Sequence, residues 1–212
     1  EIAMLVLLGA ARRAKEGMEW ARKKNWKWTA DFLMGKELTK ARLGILGMGR
    51  IGRAIAARAR SFGMKIHYHN RSRLNPDLEK DATYHKTFES LFSVSDFLSI
   101  NCPVTQETKH IINKKTLKHF PDGAVIANSA RGDMIDDDAM AGALKSGKIF
   151  GLGLDVYNGE PDIHNEYLTL PNVFVLPHLG SATKKTRTAM ADLAISNIEE
   201  YFRTGKCKNT VN

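Results

Sequence analysis

A glycine-rich turn, Gly47-Met48-Gly49-Arg50-Ile51-Gly52, is followed downstream by three separated polar groups of different kinds. These are Arg131 in Asn128-Ser129-Ala130-Arg131-Gly132, Glu160 in Asn158-Gly159-Glu160-Pro161, and His178 in Pro177-His178-Leu179-Gly180. The turn has the G-x-G-x-x-G spacing, in which the first glycine makes a tight bend, the second lets backbone approach a pyrophosphate and the third lets a helix pack close to a strand. A dinucleotide's phosphates would then lie on the N-terminus of the following helix, where unpaired amides and the helix dipole favour an anion. A cation, a carboxylate and an imidazole beside a nicotinamide are what reversible hydride transfer to a 2-keto acid requires. The cation binds the acid and polarises its carbonyl, the imidazole moves the proton, and the carboxylate sets the tautomer of the imidazole and favours its charged form.

For these groups to meet, the chain between them must fold as alternating strands and helices. Short apolar runs at residues 43–46, 64–68, 97–100, 124–127, 152–156 and 173–176 predict buried strands. Helical spacing joins Ile51, Ile55, Ala59 and Phe62, and a further helix is expected over 137–145. Repeated strand-helix-strand units imply an α/β fold, a Rossmann-like doubly wound parallel sheet flanked by helices. Linking helices are expected at both ends. The first would run unbroken from Glu1 to Lys24, and the last would be an amphipathic helix over 183–203 carrying Ala189, Leu193, Ile195, Ile198 and Phe202. Between Asn25 and Lys40, Trp26, Trp28 and Phe32 follow neither period, and such irregular aromatic segments serve as partner-facing surface or as a local core.

A site for NAD usually has Asp or Glu about twenty residues beyond the glycine turn, where it bonds the ribose hydroxyls. Here the second strand runs into Asn70-Arg71-Ser72-Arg73, with two guanidinium groups and a hydroxyl in place of a carboxylate. That set would clasp a 2′-phosphate by charge-assisted hydrogen bonds, so NADP(H) is the expected cofactor, with Asn70, Arg71 and Ser72 at its adenosine end. If Arg71 and Arg73 are solvated loop charges instead, NAD(H) is used without strong discrimination.

These motifs, taken in order, resemble the D-isomer-specific 2-hydroxyacid dehydrogenases, most closely their glyoxylate/hydroxypyruvate reductase branch. The resemblance is carried by Gly47 to Gly52, Asn101-Cys102-Pro103 with Thr105 and Thr108, Asn128 to Gly132, Gly151-Leu152-Gly153-Leu154-Asp155-Val156, Glu160-Pro161 and Pro177 to Thr183. It implies that Arg131 binds the substrate carboxylate and keto oxygen, that His178 donates the proton to that oxygen, and that Glu160 hydrogen-bonds His178. Hydride would pass from the nicotinamide C4 to the keto carbon. It further implies a cofactor site in which Gly47, Gly49, Arg50, Ile51 and Gly52 hold the pyrophosphate, and Cys102 and Pro103 line the ribose and adenine side, followed by Thr108. Ser129, Ala130 and Arg131 would line the nicotinamide side, Asp155 would hold the carboxamide, and His178 and Gly180 would complete the site. Residues 1–40 would be a linking helix and dimer-contact segment, 41–182 the dinucleotide-binding domain, and 183–212 a second linking helix. Both helices would pack against a substrate domain that the resemblance places ahead of Glu1 and that would supply the amides gripping the substrate carboxylate, so this chain alone is expected to bind cofactor without turnover; a homodimer would form through the aromatic segment.

The bulk properties narrow the classes. In 212 residues with 43% apolar composition there is enough to bury one full core. The net charge of +9 is scattered rather than gathered in an aromatic-interleaved tract, which argues against a nucleic-acid partner and suits phosphates of a small ligand. The run Met4-Leu5-Val6-Leu7-Leu8 is too short to cross a bilayer, so no membrane role is expected. Only Cys102 and Cys207 occur, without metal-ligand spacing; no metal is expected, and a reducing, cytoplasmic compartment is. The substrate expected is a small 2-keto or 2-hydroxy acid. Two alternatives stand beside this reading: a non-enzymatic, corepressor-like dinucleotide sensor of the same fold, and a D-3-phosphoglycerate dehydrogenase.

Overall fold

The computed structural model describes residues 1–24, 26–207 and 209–210. Asn25, where the aromatic segment starts, and Lys208, Val211 and Asn212, within the last predicted segment, lie outside the described residues. The chain divides into two units, Glu1–His178 and Leu179–Asn212.

The first unit opens with helices α1 (Ile2–Ala11) and α2 (Ala14–Lys23) and then alternates. Strand β1 (Arg42–Leu46) leads into α3 (Arg50–Ser61), β2 (Lys65–His69), α4 (Pro76–Glu79) and β3 (Thr83–Tyr84). Then come α5 (Phe88–Phe92), β4 (Phe97–Ile100), β5 (Ala124–Asn128), α6 (Asp137–Lys145), β6 (Ile149–Leu154), α7 (Asn165–Thr169) and β7 (Val173–Val175). The strands form one sheet in the order β3-β2-β1-β4-β5-β6-β7, and every pairing is parallel. The order reverses between β1 and β4, and at such a switch point the crevice beyond the strand C-termini is where α/β sheets bind ligands.

Period-two alternation sends each strand's apolar residues to two cores. Leu43, Ile45, Phe97, Val125 and Ala127 face one cluster together with Val6, Leu7 and Ala10 of α1 and Ile55 and Ala59 of α3. Leu98, Ile100, Ile126, Leu152 and Leu154 face the other, with Phe92 of α5 and Met140 and Leu144 of α6. Helices on both faces of a parallel sheet explain why its strands read as continuous apolar runs.

One expectation is corrected. The helix expected to run from Glu1 to Lys24 is two helices, broken at Arg13, which takes left-handed φ of 54° and binds Glu16 at 2.6 and 2.8 Å. The cause is a change of environment: α1 is almost wholly apolar and lies on the sheet, whereas α2 buries none of its residues. Helix α1 therefore contributes to the nucleotide domain's own core. Its approach to β6 is close because a Cβ on Gly153 would overlap the Val6 carbonyl and one on Gly151 would stand 3.0 Å from the Ala10 carbonyl. Of the four residues joined by helical spacing, Ile55 and Ala59 are buried, whereas Ile51 and Phe62 are 66% and 44% exposed.

The second unit is dominated by α8 (Lys184–Thr204). Thr183 caps it by accepting from the Thr186 amide at 3.1 Å, and Gly205 ends it in the left-handed region with φ of 70°. Its Leu193, Ile195, Ile198 and Phe202 are exposed. Among the described residues no helix is long and apolar enough to cross a membrane.

Candidate active site

The three glycines of the turn are required for three different reasons. Gly47 has φ of +96°, and a Cβ there would lie 2.6 Å from the Cys102 amide nitrogen, so the segment after β1 lies directly against the segment after β4. A Cβ on Gly52 would overlap the Gly47 carbonyl oxygen, which makes Gly52 the close-packing glycine. A Cβ on Gly49 would meet nothing within 4 Å. The open space in front of Gly49, the N-cap of α3, is the cradle a pyrophosphate needs, and α3 has no acidic residue in its first turn to oppose an anion. Arg50 and Ile51 begin that helix. The residues present thus fit a dinucleotide.

Just beyond β2, Asn70 accepts the Met48 N–H at 2.7 Å through its Oδ1, so it pins the glycine turn to the end of that strand. Arg71 and Ser72 are exposed. Arg73, expected to join Arg71 on a 2′-phosphate, gives its Nε to Glu79 at 2.9 and 3.2 Å. A buried carboxylate claims the exposed guanidinium because an unpaired charge at that depth is costly.

A cleft of about 530 Å³ opens beside the turn and is lined by Ile51, Cys102, Pro103, Ser129, Ala130 and Arg131, all of them expected, together with Asn101, Val104 and Asp133. Burial pushes the Cys102 thiol up to about 11, so it is a neutral wall and not a nucleophile. Thr108 donates to the Pro103 carbonyl at 2.8 Å and braces the Pro103 loop. Arg131 is held by the fully buried Asn128, whose side chain donates to the Arg131 carbonyl at 2.8 Å and accepts from the Ala130 amide at 3.0 Å. The guanidinium Nη1 donates to the Ala130 carbonyl at 2.6 Å. Asp155 follows β6, is buried, and gives its amide to the Asn128 carbonyl at 3.0 Å.

Glu160 and His178 are brought together although they lie on separate loops: His178 Nδ1 stands 2.6 Å from Glu160 Oε2. The other carboxylate oxygen, Oε1, accepts the Tyr157 amide at 3.0 Å. With a carboxylate on Nδ1, that nitrogen carries a proton and Nε2 is the one left for chemistry. Burial alone would raise the Glu160 carboxyl. The hydrogen bonds from His178 and Tyr157, with the charges of His178 and Arg131, outweigh it and hold the group below the ordinary carboxylate range. The Arg131 charge thus reaches the same pair. His178 has left-handed φ of 53°, a conformation that costs a non-glycine residue on the order of 1 kcal/mol.

Tyr157, which lies within the motif that ends in Glu160 but carried no expected role, braces the pair. Its hydroxyl donates to the Leu176 carbonyl at 2.6 Å, two residues before His178, while its amide holds Glu160. It is 8% exposed, and burial pushes its hydroxyl up to about 12, so it remains a donor at neutral pH. Its one sequence signal is an aromatic with a polar tip between Asp155 and Glu160. Gly180 lies in the second unit.

Comparison with known proteins gives the family. The family model "D-isomer specific 2-hydroxyacid dehydrogenase, NAD binding domain" matches residues 4–180. Glycerate dehydrogenase of Hyphomicrobium methylovorum is 44% identical over 205 residues, covering 95% of this chain and 64% of its own length. A crystal structure of a glyoxylate reductase from Paecilomyes thermophila superposes with a TM-score of 0.92 at 40% identity, covering 99% of this chain and 63% of that one. An NADPH-dependent glyoxylate/hydroxypyruvate reductase from Sinorhizobium meliloti, solved with NADP and malonate, gives 0.90 at 35% identity, covering 99% and 65%. This chain therefore spans just under two thirds of the length of each of these three relatives.

Proposed function

The chain belongs to the D-isomer specific 2-hydroxyacid dehydrogenases and carries their NAD-binding domain, and from that premise we propose that it reduces a small 2-keto acid, glyoxylate or hydroxypyruvate, to the D-2-hydroxy acid with NADPH preferred over NADH. The observation that carries this reading is the 2.6 Å contact of His178 with Glu160, two residues from separate loops, within reach of the Arg131 charge. A bound nicotinamide supplies the hydride. Arg131 holds the substrate carboxylate and polarises the keto oxygen, and His178 gives that oxygen a proton from Nε2. Glu160 keeps the second proton on Nδ1, so the imidazole returns to the same tautomer after each turnover. Oxidation of NADPH in the presence of glyoxylate or hydroxypyruvate, measured with a substrate domain joined to this chain, tests the assignment; cofactor binding with no turnover on either acid would contradict it.

The reading extends to residues that do not touch substrate. Gly47, Gly49, Arg50, Ile51 and Gly52 hold the pyrophosphate, Cys102 and Pro103 the adenosine side, and Ser129, Ala130, Asp155 and Gly180 the nicotinamide side, with Asn70 and Thr108 as braces. Gly49→Ala is expected to fold normally, since its methyl group would enter open space, but to weaken NADPH binding at least tenfold. Gly52→Ala is expected to lose stability by about 1–3 kcal/mol, because its methyl group meets backbone. Thermal melts paired with NADPH titrations separate the two effects. Residues 1–40 and 183–212 are the proposed contacts to a second copy and to a substrate domain, with Trp28, 96% exposed, as the apolar group a dimer would cover.

Glu160→Gln gives a pH test. The carboxyl is held below its ordinary value, so its negative charge persists beside His178 through neutral pH and is lost only in acid. Without that charge Nδ1 lacks its anionic partner, so the variant is expected to reduce 2-keto acids more slowly than the wild type at neutral pH, with the gap closing as the pH falls through the Glu160 titration. Equal rates at neutral pH would show that Glu160 does not act through His178.

A further inference from the structure

We propose that Glu79, which is not part of the nucleotide crevice lining, sets the preference for a 2′-phosphorylated nucleotide by orienting Arg73; this rests on the NADPH reading above. Glu79 ends the single turn α4 and is 4% exposed, whereas the Arg73 side chain it binds is 66% exposed. The ion pair uses only Nε of the guanidinium, at 2.9 and 3.2 Å, and leaves the two terminal nitrogens outside it. Those nitrogens form the end-on fork that matches a phosphate.

The segment that carries Arg73 is fixed at several points. Asn70 Oδ1 accepts the Met48 amide at 2.7 Å, which ties the segment to the glycine turn. The Tyr84 hydroxyl donates to the Asn70 carbonyl at 3.3 Å, and the Tyr68 hydroxyl accepts the Leu74 amide at 3.0 Å. Tyr68 is fully buried, so the anchor comes from the core and not from the surface. Between these anchors Arg71 is exposed, with no hydrogen-bond or ion-pair partner among the described residues. Two guanidinium groups of unlike character therefore stand at the adenosine end: Arg71, unrestrained, and Arg73, held from below. Holding a long side chain in its binding geometry beforehand removes part of the ordering cost of binding, and a buried carboxylate restrains its partner because leaving it unpaired is expensive. A ribose 2′-hydroxyl gains little from such a fork, so the effect falls on NADPH and spares NADH.

The test is titration with adenosine 2′,5′-bisphosphate and with AMP, followed by NADPH and NADH. In Glu79→Gln, the Kd for adenosine 2′,5′-bisphosphate is expected to rise roughly tenfold, as befits loss of one oriented charge-assisted pair, with that for AMP unchanged. Arg73→Ala should give the same loss, and the double variant no more than either. Arg73→Lys, at an exposed position that tolerates change, should show the loss as well and serves if Glu79→Gln does not fold. Unchanged or tighter bisphosphate binding in Glu79→Gln would overturn the proposal, and so would losses that add in the double variant. Arg71→Ala separates this from the parent reading. If it lowers the NADPH preference while Glu79→Gln does not, only the role of Glu79 fails. If the unaltered protein binds NADPH and NADH alike, the NADPH reading fails and this proposal with it.

Discussion

Replacement of His178 by asparagine is expected to lower the rate of 2-keto acid reduction by roughly 10²- to 10⁴-fold, the range for removal of a positioned proton donor, while NADPH binding is retained. The split follows from where the residue sits. His178 Nδ1 is committed to Glu160 at 2.6 Å, whereas the glycine turn, Asn70 and the 102–103 segment, proposed to cradle the nucleotide, are held by contacts with one another. Asparagine can occupy left-handed φ, which His178 adopts at 53°, so the backbone should survive the change. Single-turnover rates and NADPH titrations measure the two quantities separately. A fall in cofactor affinity that matched the fall in rate would place His178 in nucleotide binding and not in proton transfer.

Gly132→Ala is expected to be nearly as damaging without touching a reacting group. A Cβ on Gly132 would overlap the Tyr157 carbonyl carbon and the Asn158 nitrogen, so the segment that carries Arg131 lies flush on the backbone of the loop that carries Glu160. Tyr157 in turn holds Glu160 through its amide and the approach to His178 through its hydroxyl. A methyl group wedged there must push the two loops apart. Displacing a catalytic group by about 1 Å can cost on the order of 100-fold in rate, and overpacking costs about 1–3 kcal/mol in stability. The expected result is a folded protein with a lowered melting temperature, a kcat reduced about 100-fold and little change in NADPH affinity. Wild-type kcat in this variant would show that the contact between the loops does not position the site.

The sequence reached the architecture because its strands are buried on both faces. Runs such as 97–100 and 124–127 stand out without any alternation to decode, and α6 has a cap signal in Asp136, whose side chain accepts the Ala139 amide at 3.0 Å. It failed where a tertiary contact overrode local pattern. The break at Arg13 depends on α1 lying on the sheet, and β3 is two residues long, too short for periodicity to register. The strand read at 152–156 runs from Ile149 to Leu154; its start was hidden because Gly151 and Gly153 interrupt the apolar run, and both lie where α1 approaches. In the site, residues that carry charge or punctuate turns were legible: Gly47, Arg131, Glu160 and His178. The pairing of Arg73 with Glu79 was not, since nothing in a string of residues says that one carboxylate of α4 is buried. Nor was Tyr157, whose work is done through an amide and a hydroxyl bonded to backbone.

The most direct measurement is a crystal structure of the protein with NADPH and oxalate, an unreactive stand-in for the 2-keto acid. With the pyrophosphate over Gly49, oxalate is expected to bridge the Arg131 guanidinium and Nε2 of His178 on one side of the nicotinamide ring, with Glu160 still on Nδ1. A nicotinamide bound away from the Ser129 to Arg131 wall, or oxalate that engages neither Arg131 nor His178, would contradict the assignment of the three groups to one reaction.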